Sequence, residues 1–230
     1  MGLPTDADSP MIRPMADWAH HLSGRFVVFD GPDGSGKTTQ FHRFVAWCEA
    51  NGVVVQPVRE PGGTSIGEQV RAILLDAKNI EMTVQCELLL YMASRSQLVQ
   101  ERIEPSLERG ELVLADRFIS STLAYQGMAG GLDDESIRVV ADIAVAGRWP
   151  DCLVIFDVDE TVAASRRDTS PDRIESKGVS YHEQVRRGYL EQARSDPDRT
   201  ILIDASADED SVFRVLLSSL ETWIQSTASV

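Results

Sequence analysis

The sequence predicts a single α/β domain built on one doubly wound, five-stranded parallel sheet with helices on both faces. Two observations carry this prediction. Short runs such as VVFD, VVVQPV, LVLAD and LVIFDV are largely apolar, which suits parallel strands that are covered on both faces. Longer amphipathic stretches separate these runs, and helical crossovers between parallel strands require that arrangement.

The expected elements follow from these patterns. The strand candidates are Phe26–Asp30, Val53–Val58, Leu112–Asp116, Cys152–Val158 and Thr200–Ile203. The helix candidates are Lys37–Asn51, Ser65–Asp76, Thr83–Arg109, Asp133–Ala146, Glu160–Arg167, Tyr181–Ser195 and Asp208–Gln225. No repeat or change of composition after residue 24 indicates a second domain, so residues 25–230 are predicted to form one domain.

Residues 1–24 differ in character from the rest of the chain. They combine prolines with aspartates and contain no apolar segment of the kind found in signal peptides. We predict a flexible N-terminal extension, with a short helix at 15–22. The three cysteines, Cys48, Cys86 and Cys152, are far apart and have no metal-binding spacing, which is typical of reduced thiols in a cytoplasmic protein.

The chain is acidic, with a formal net charge of −14 and a pI near 4.7. This balance argues against a nucleic-acid or anionic-membrane surface, because both require clustered basic residues. No apolar run approaches transmembrane length. An acidic protein that binds phosphates must concentrate its few basic residues at the site, which makes each arginine near a motif informative.

Residues 31–38 read Gly-Pro-Asp-Gly-Ser-Gly-Lys-Thr, which is the P-loop pattern placed between a buried strand and a helix. Its backbone amides and the following helix N-terminus would cradle phosphates. Lys37 would neutralise the outer phosphates, and the Thr38 hydroxyl would bind Mg²⁺. The ATP-binding candidates are therefore Gly31, Pro32, Asp33, Gly34, Ser35, Gly36, Lys37, Thr38 and Thr39. The alternative is a glycine-rich turn with a surface lysine.

Asp116 and Arg117 end the third predicted strand. A carboxylate at this position of a P-loop protein holds Mg²⁺, often through water, although a helix cap or turn aspartate is the alternative for Asp116. Arg117 lies at the carboxyl edge of the sheet, where ligands bind in such folds, and its guanidinium suits bidentate capture of a phosphate.

Weaker patterns surround these residues. Glu60 lies in a sharp turn at the same sheet edge and Arg71 on the following helix. Taken alone, the turn favours a plain loop, and Arg71 fits a solvated helix face. Tyr91 and Arg95 share one helix face and suit stacking on, and hydrogen bonding to, a nucleobase, although packing is the common role of such a pair.

Two further segments carry candidates. Ser120, Ser121, Thr122, Tyr125 and Gln126 offer hydroxyl and amide groups that could contact a sugar and base, or simply cap a helix. Residues 165–178 are polar and contain Arg166, Arg167 and Arg173, which we interpret as a lid that closes over the transferring phosphate, with an exposed loop as the alternative. The catalytic candidates are Lys37 and these three arginines.

Taken together, the motifs resemble those of bacterial thymidylate kinases. The matching stretches are GPDGSGKTTQ at 31–40, REPGGT at 59–64, ELLLYMASRSQ at 87–97, DRFISSTLAYQG at 116–127, PDCLVIFDV at 150–158 and DRIES at 172–176. REPGGT followed by DRxxxSxxAYQG is a specific combination, and the resemblance covers about residues 25–225. Some relatives carry an arginine at the position of Gly34. A P-loop without that arginine is similar to the bacterial type.

The resemblance implies a role for each site residue. Asp33 would contact the 3′-hydroxyl of dTMP, Tyr91 would stack on thymine, and Tyr125 would crowd the sugar 2′ position. The full set implied for dTMP is Asp33, Glu60, Arg71, Tyr91, Arg95, Arg117, Thr122, Tyr125 and Gln126, with Mg²⁺ at Thr38 and Asp116. The loop at 204–207 would border the adenine of the donor.

The activity implied is transfer of the ATP γ-phosphoryl group to dTMP, which yields dTDP and ADP as a step in dTTP synthesis. Family members are homodimers, and a homodimer is expected here. Two alternatives remain at this point. A deoxynucleoside kinase would phosphorylate the sugar hydroxyl with Glu60 as base, and a non-catalytic P-loop switch would lack a second nucleotide pocket.

Overall fold

A computed structural model describes residues 16–166 and 172–227. The sheet has five parallel strands in the order β2-β3-β1-β4-β5. The strands are β1 Phe26–Asp30, β2 Val55–Arg59, β3 Leu112–Asp116, β4 Cys152–Asp157 and β5 Thr200–Asp204. Because β1 and β3 are neighbours in this order, the P-loop and the Asp116-Arg117 pair come to the same edge of the sheet. The predicted fold class is confirmed.

Helices connect the strands. They are α1 Lys37–Ala50, α2 Ser65–Leu75, α3 Val84–Leu98, α4 Glu104–Glu108, α5 Ile119–Thr122, α6 Asp134–Val145, α7 Glu160–Arg166, α8 Val179–Ser195 and α9 Glu209–Thr227. Side chains of Thr64, Thr83 and Asp133 accept a hydrogen bond from the backbone N–H three residues on, which fixes where α2, α3 and α6 begin.

One predicted helix is interrupted. The pattern over Thr83–Arg109 predicts a continuous helix, but α3 ends at Leu98 and a wider π-helical turn, Val99–Ile103, separates it from α4. Pro105 follows this turn at the start of α4. Because proline has no backbone N–H and its ring clashes with the preceding turn, the helical ladder widens ahead of it.

The alternation of side chains along each strand divides the core between the two faces of the sheet. Val27 and Phe29 of β1 pack with α1 and α9. Phe26 and Val28 pack on the other face with α3 and α6. Both faces of the sheet are therefore covered, as the apolar strands predict. Within the ranges 16–166 and 172–227, no helix is long and apolar enough to cross a membrane.

The packed domain begins earlier than the sequence predicts. Residues 1–15 lie outside the described residues, but Trp18, Ala19 and Leu22 are buried in the core. Trp18 stacks on Trp47 of α1, with 4.9 Å between the ring centroids. A short 3₁₀ helix, Ala19–Leu22, falls within the helix predicted at 15–22. Flexibility does not describe residues 18–22 of the predicted extension, because these apolar side chains pack in the core with α1 and α9.

Candidate active site

The P-loop follows β1 at the carboxyl edge of the sheet and runs into α1. Gly31 and Gly34 both have positive φ angles, of 145° and 84°. A Cβ at Gly31 would lie 2.4 Å from the Phe156 carbonyl oxygen, and one at Gly34 would lie 2.3 Å from the Ala163 carbonyl oxygen. No side chain fits at either position, which explains why residue 34 is not an arginine in this chain.

A pocket of about 560 Å³ opens beside the P-loop. Of the predicted ATP-binding residues, the pocket is lined by Pro32, Asp33, Gly34, Ser35, Gly36, Lys37, Thr38 and Thr39. Gly31 does not line it, since its N–H donates to Asp30 and its Cα packs against β4. Ala205 and Ala207 border the same pocket, so the loop after β5 lies where the sequence predicts it.

Lys37 is the buried cation of this pocket. It is 6% exposed, and its ammonium group forms an ion pair with Asp116, which is the last residue of β3. Thr38 is exposed to the pocket. Arg166 contributes a second cation, because it lines the pocket and its Nη1 donates to the Ala205 carbonyl at 3.2 Å.

Arg117 lies at the boundary between this pocket and a second one. It adopts a φ of 73°, which is rare for a residue other than glycine and is common at functional sites. Its guanidinium forms ion pairs with Asp30 and Asp33. Burial alone would lower the pKa of Arg117, but the facing acidic groups raise it well above its ordinary value. Arg117 is therefore a fixed positive charge.

Asp33 stays ionised because neighbouring groups offset the effect of its burial. Burial opposes the charged form, but the charge of Arg117 and a 2.7 Å hydrogen bond from Tyr125 lower the pKa of Asp33 below its ordinary value. The carboxylate can accept further hydrogen bonds from a ligand hydroxyl group. Asp33 also borders both pockets.

The second pocket, of about 170 Å³, is lined by all the residues predicted to bind the acceptor. They are Asp33, Glu60, Arg71, Tyr91, Arg95, Arg117, Thr122, Tyr125 and Gln126. The spacing of Tyr91 and Arg95 alone favoured packing, and REPGGT alone favoured a plain loop. The fold instead brings both segments to one cavity.

Glu60 and Arg95 form the most deeply buried ion pair of this pocket, at 2.6 Å. Burial raises the pKa of Glu60 to about 7, against the charge and hydrogen bond of Arg95. Arg95 also donates to the Thr122 hydroxyl at 3.2 Å. Glu60 and Thr122 thus hold the guanidinium plane rigidly within the pocket wall.

A family model described as thymidylate kinase matches residues 29–215. The chain belongs to the thymidylate kinase family. It is a phosphotransferase, and the resemblance inferred from the motifs is confirmed. The thymidylate kinase of Desulforudis audaxviator is 47% identical over 191 residues, covering 81% of this chain and 86% of its own length.

Other relatives agree. The thymidylate kinase of Caldanaerobacter subterraneus is 40% identical over 205 residues, covering 89% of this chain and 98% of its own length. The crystal structure of thymidylate kinase from Ehrlichia chaffeensis superposes with a TM-score of 0.71 at 31% identity, covering 86% of this chain and 99% of that one.

Of the two predicted lid arginines that the structure describes, Arg166 lines the P-loop pocket. Arg167 lies outside the described residues. Arg173 does not line either pocket; it is 6% exposed and binds Glu87 at 2.6 Å and the Leu74 carbonyl at 2.8 Å. Its role as a catalytic lid arginine stays a prediction. The side chain anchors this part of the segment 165–178 to α2 and α3.

The structure adds residues that the sequence reasoning did not identify. Asp30, at the end of β1, is fully buried and accepts hydrogen bonds from Ser120, Ser121 and Tyr189. Glu175 borders both pockets. The position of Asp30 next to the P-loop was a usable signal, whereas nothing local to Tyr189 on α8 indicates that it reaches this site.

Proposed function

We propose that this chain transfers the γ-phosphoryl group of ATP to dTMP, producing dTDP and ADP, a step in the synthesis of dTTP. One observation carries the proposal. Two pockets meet at a common wall formed by Asp33, Arg117 and Glu175, and cationic side chains face each pocket. This is the arrangement needed to hold two phosphorylated nucleotides with their phosphates adjacent.

The donor occupies the P-loop pocket. Backbone amides of the P-loop residues that line this pocket cradle the phosphates, and the buried ammonium group of Lys37 neutralises the outer ones. Arg166, the last residue of α7, also lines this pocket. The adenine lies beside the loop that follows β5.

The acceptor occupies the second pocket. Arg117 binds its phosphate next to the donor, and Asp33 accepts from the sugar 3′-hydroxyl. Tyr91 stacks on thymine, and Tyr125 disfavours a ribose 2′-hydroxyl. Arg71, whose Nη1 donates to the Pro61 carbonyl at 3.0 Å, contributes a second positive charge on the same side as Glu60. Arg95, Thr122 and Gln126 contact the base.

The oxygen donors around Lys37 fit Mg²⁺. The Thr38 hydroxyl faces the P-loop pocket. The Asp116 carboxylate forms an ion pair with Lys37, and Lys37 lines the same pocket. Mg²⁺ prefers such oxygen ligands and usually keeps phosphates and waters as its remaining ligands. When bound with ATP, it would supply charge neutralisation at the phosphates. Thr38 and Asp116 would hold it.

The residues act by alignment and charge, because the acceptor phosphate is already an anionic nucleophile at neutral pH. No side chain needs to remove a proton from it, and no covalent enzyme intermediate is required. The difficulty is the repulsion between two polyanions on a protein of net charge −14. Lys37, Arg117 and Arg166 offset this repulsion at the line of transfer.

ADP release should be measured with dTMP, dUMP, thymidine and no acceptor, at saturating ATP and Mg²⁺. We expect dTMP to support turnover roughly 100-fold faster than thymidine, because thymidine leaves the Arg117 charge without its anion. Faster turnover with thymidine would instead indicate a deoxynucleoside kinase. ADP release that does not respond to dTMP would indicate a P-loop switch.

We also propose that the chain works as a cytoplasmic homodimer. Exposed apolar side chains lie on three helices that pack side by side, α2, α3 and α6. They are Ile66, Ile73, Leu89, Val139 and Ile143, which are 47% to 77% exposed. Exposed apolar side chains on adjacent helices favour a protein interface, and a second copy of the chain offers the same surface.

Leu89→Arg tests this interface. Placing a charge in the middle of the apolar helices should weaken self-association roughly tenfold or more, as measured by sedimentation equilibrium. Val215→Arg on α9 is the matched control, since Val215 is 48% exposed but lies on a helix outside this surface. A monomeric wild-type chain, or equal effects of the two changes, would contradict the dimer.

A further inference from the structure

Glu87 of α3 is a buried carboxylate behind the second pocket. It is 1% exposed and does not line that pocket. Its Oε1 accepts from Arg173 at 2.6 Å and from Lys177 at 3.0 Å. Its Oε2 accepts from the side-chain amide of Gln126 at 3.0 Å and, at a longer 3.4 Å, from Lys177. Glu87 thus joins two cations of the segment 165–178 to one residue of the pocket wall.

The charge state of Glu87 determines which way the Gln126 amide points. Burial acts to raise the pKa of Glu87, but the hydrogen bonds from Arg173 and Gln126 and the charge of Lys177 lower it below its ordinary value. An ionised carboxylate only accepts hydrogen bonds. The NH₂ group of Gln126 must therefore face Glu87, which leaves the Gln126 carbonyl oxygen for the pocket that this residue lines.

We propose that Glu87 is a positioning residue for base selection, because it fixes the Gln126 amide so that the pocket presents a hydrogen-bond acceptor to the base. The proposal rests on the proposed function, in which the acceptor base lies against Gln126. An acceptor suits a pyrimidine whose ring N3 carries a hydrogen, as in thymine and uracil. Cytosine presents a lone pair at N3 and would oppose the carbonyl oxygen.

Because Arg173 and Lys177 flank Glu87, replacing one oxygen atom of this carboxylate should reverse the orientation of the Gln126 amide. In Glu87→Gln, Arg173 and Lys177 both require an acceptor, so they retain the carbonyl oxygen of the new side chain on their side. The NH₂ group of residue 87 then faces Gln126. Gln126 must turn its own carbonyl oxygen toward it, and its NH₂ group enters the pocket as a donor.

The reciprocal exchange restores the acceptor. In Glu87→Gln combined with Gln126→Glu, the NH₂ group of residue 87 donates to a carboxylate at 126. The second oxygen of that carboxylate faces the pocket. The exchange leaves the net charge and the side-chain volumes almost unchanged, so it separates hydrogen-bond direction from packing and charge.

The experiment is calorimetric titration of dTMP and dCMP into the wild-type chain, Glu87→Gln and the exchange variant. In the single variant, the preference for dTMP over dCMP should fall roughly 10- to 100-fold, because a donor is opposed to a donor. In the exchange variant, the preference should return. If Glu87 had only a structural role, the affinities for both nucleotides would fall together and the ratio of the two affinities would stay unchanged.

An unchanged ratio in Glu87→Gln, or an exchange variant that does not recover the preference, would overturn the proposal. Thermal unfolding by circular dichroism establishes that each variant is folded. If Glu87→Gln does not fold, the folded exchange variant decides alone, since it either prefers dTMP as the wild type does or has lost that preference.

Binding is used as the readout so that failure of this inference is distinct from failure of the proposed function. A wild-type chain that binds dTMP in preference to dCMP but releases no ADP would refute phosphoryl transfer while base selection is still measured. A wild-type chain that binds the two nucleotides equally would overturn the base-selection proposal whatever its turnover.

Discussion

Replacing Lys37 with alanine is expected to lower kcat for ADP formation with dTMP by roughly three orders of magnitude. Lys37 is 6% exposed in the P-loop pocket, where a buried positive charge interacts with phosphates far more strongly than one in water. The charge is needed most as negative charge develops on the transferred group. Its loss should therefore reduce kcat more than it raises the KM for ATP.

The measurement is steady-state ADP release, with thermal unfolding as the check on the fold. Because Lys37 pairs with Asp116, its loss leaves a carboxylate that is 19% exposed without its partner, so a modest fall in Tm is expected. Lys78→Ala, at an exposed lysine after α2, is the matched control and should retain wild-type turnover. A folded Lys37→Ala chain with near-normal kcat would refute the phosphate role of this lysine.

Much of the fold follows from local signals. Strands β1 and β3 have the predicted bounds, since four consecutive apolar residues that end in an aspartate suffice to mark a strand that is buried on both faces. Helices α2, α3 and α6 begin where a threonine or aspartate can cap them. The sequence does not predict the end of α3 at Leu98, because the apolar pattern continues past this residue. Pro105 is the local signal that indicates an interruption.

The site was less accessible to local reasoning. The P-loop is contiguous, so its residues could be identified from their spacing. The network around Asp30 brings Tyr189 from 159 residues away, and no local pattern reports such a contact. Arg173 shows a different limit of local reasoning. Its segment is polar and arginine-rich, which is typical of a lid, but the charge of the buried Glu87 holds it inside the protein.

Arg117→Ala is expected to raise the KM for dTMP roughly 100-fold while changing the KM for ATP only a few-fold. Each charge-assisted hydrogen bond from the guanidinium to the acceptor phosphate contributes about 1.5–3 kcal/mol. The donor phosphates retain Lys37 and the P-loop amides, so ATP binding loses little. The measurement is a pair of steady-state titrations in which each substrate is varied at saturation of the other.

Stability must be separated from binding for this residue, because Arg117 neutralises Asp30 and Asp33. In Arg117→Ala the fully buried Asp30 loses a charged partner, so a lower Tm is expected. Arg186→Ala is the matched control. Arg186 pairs with Asp157 and Asp159 near the same edge of the sheet but lines neither pocket. It should lower Tm without a selective change in the KM for dTMP. Equal effects of Arg117→Ala on dTMP and ATP would contradict the placement of the acceptor phosphate at Arg117.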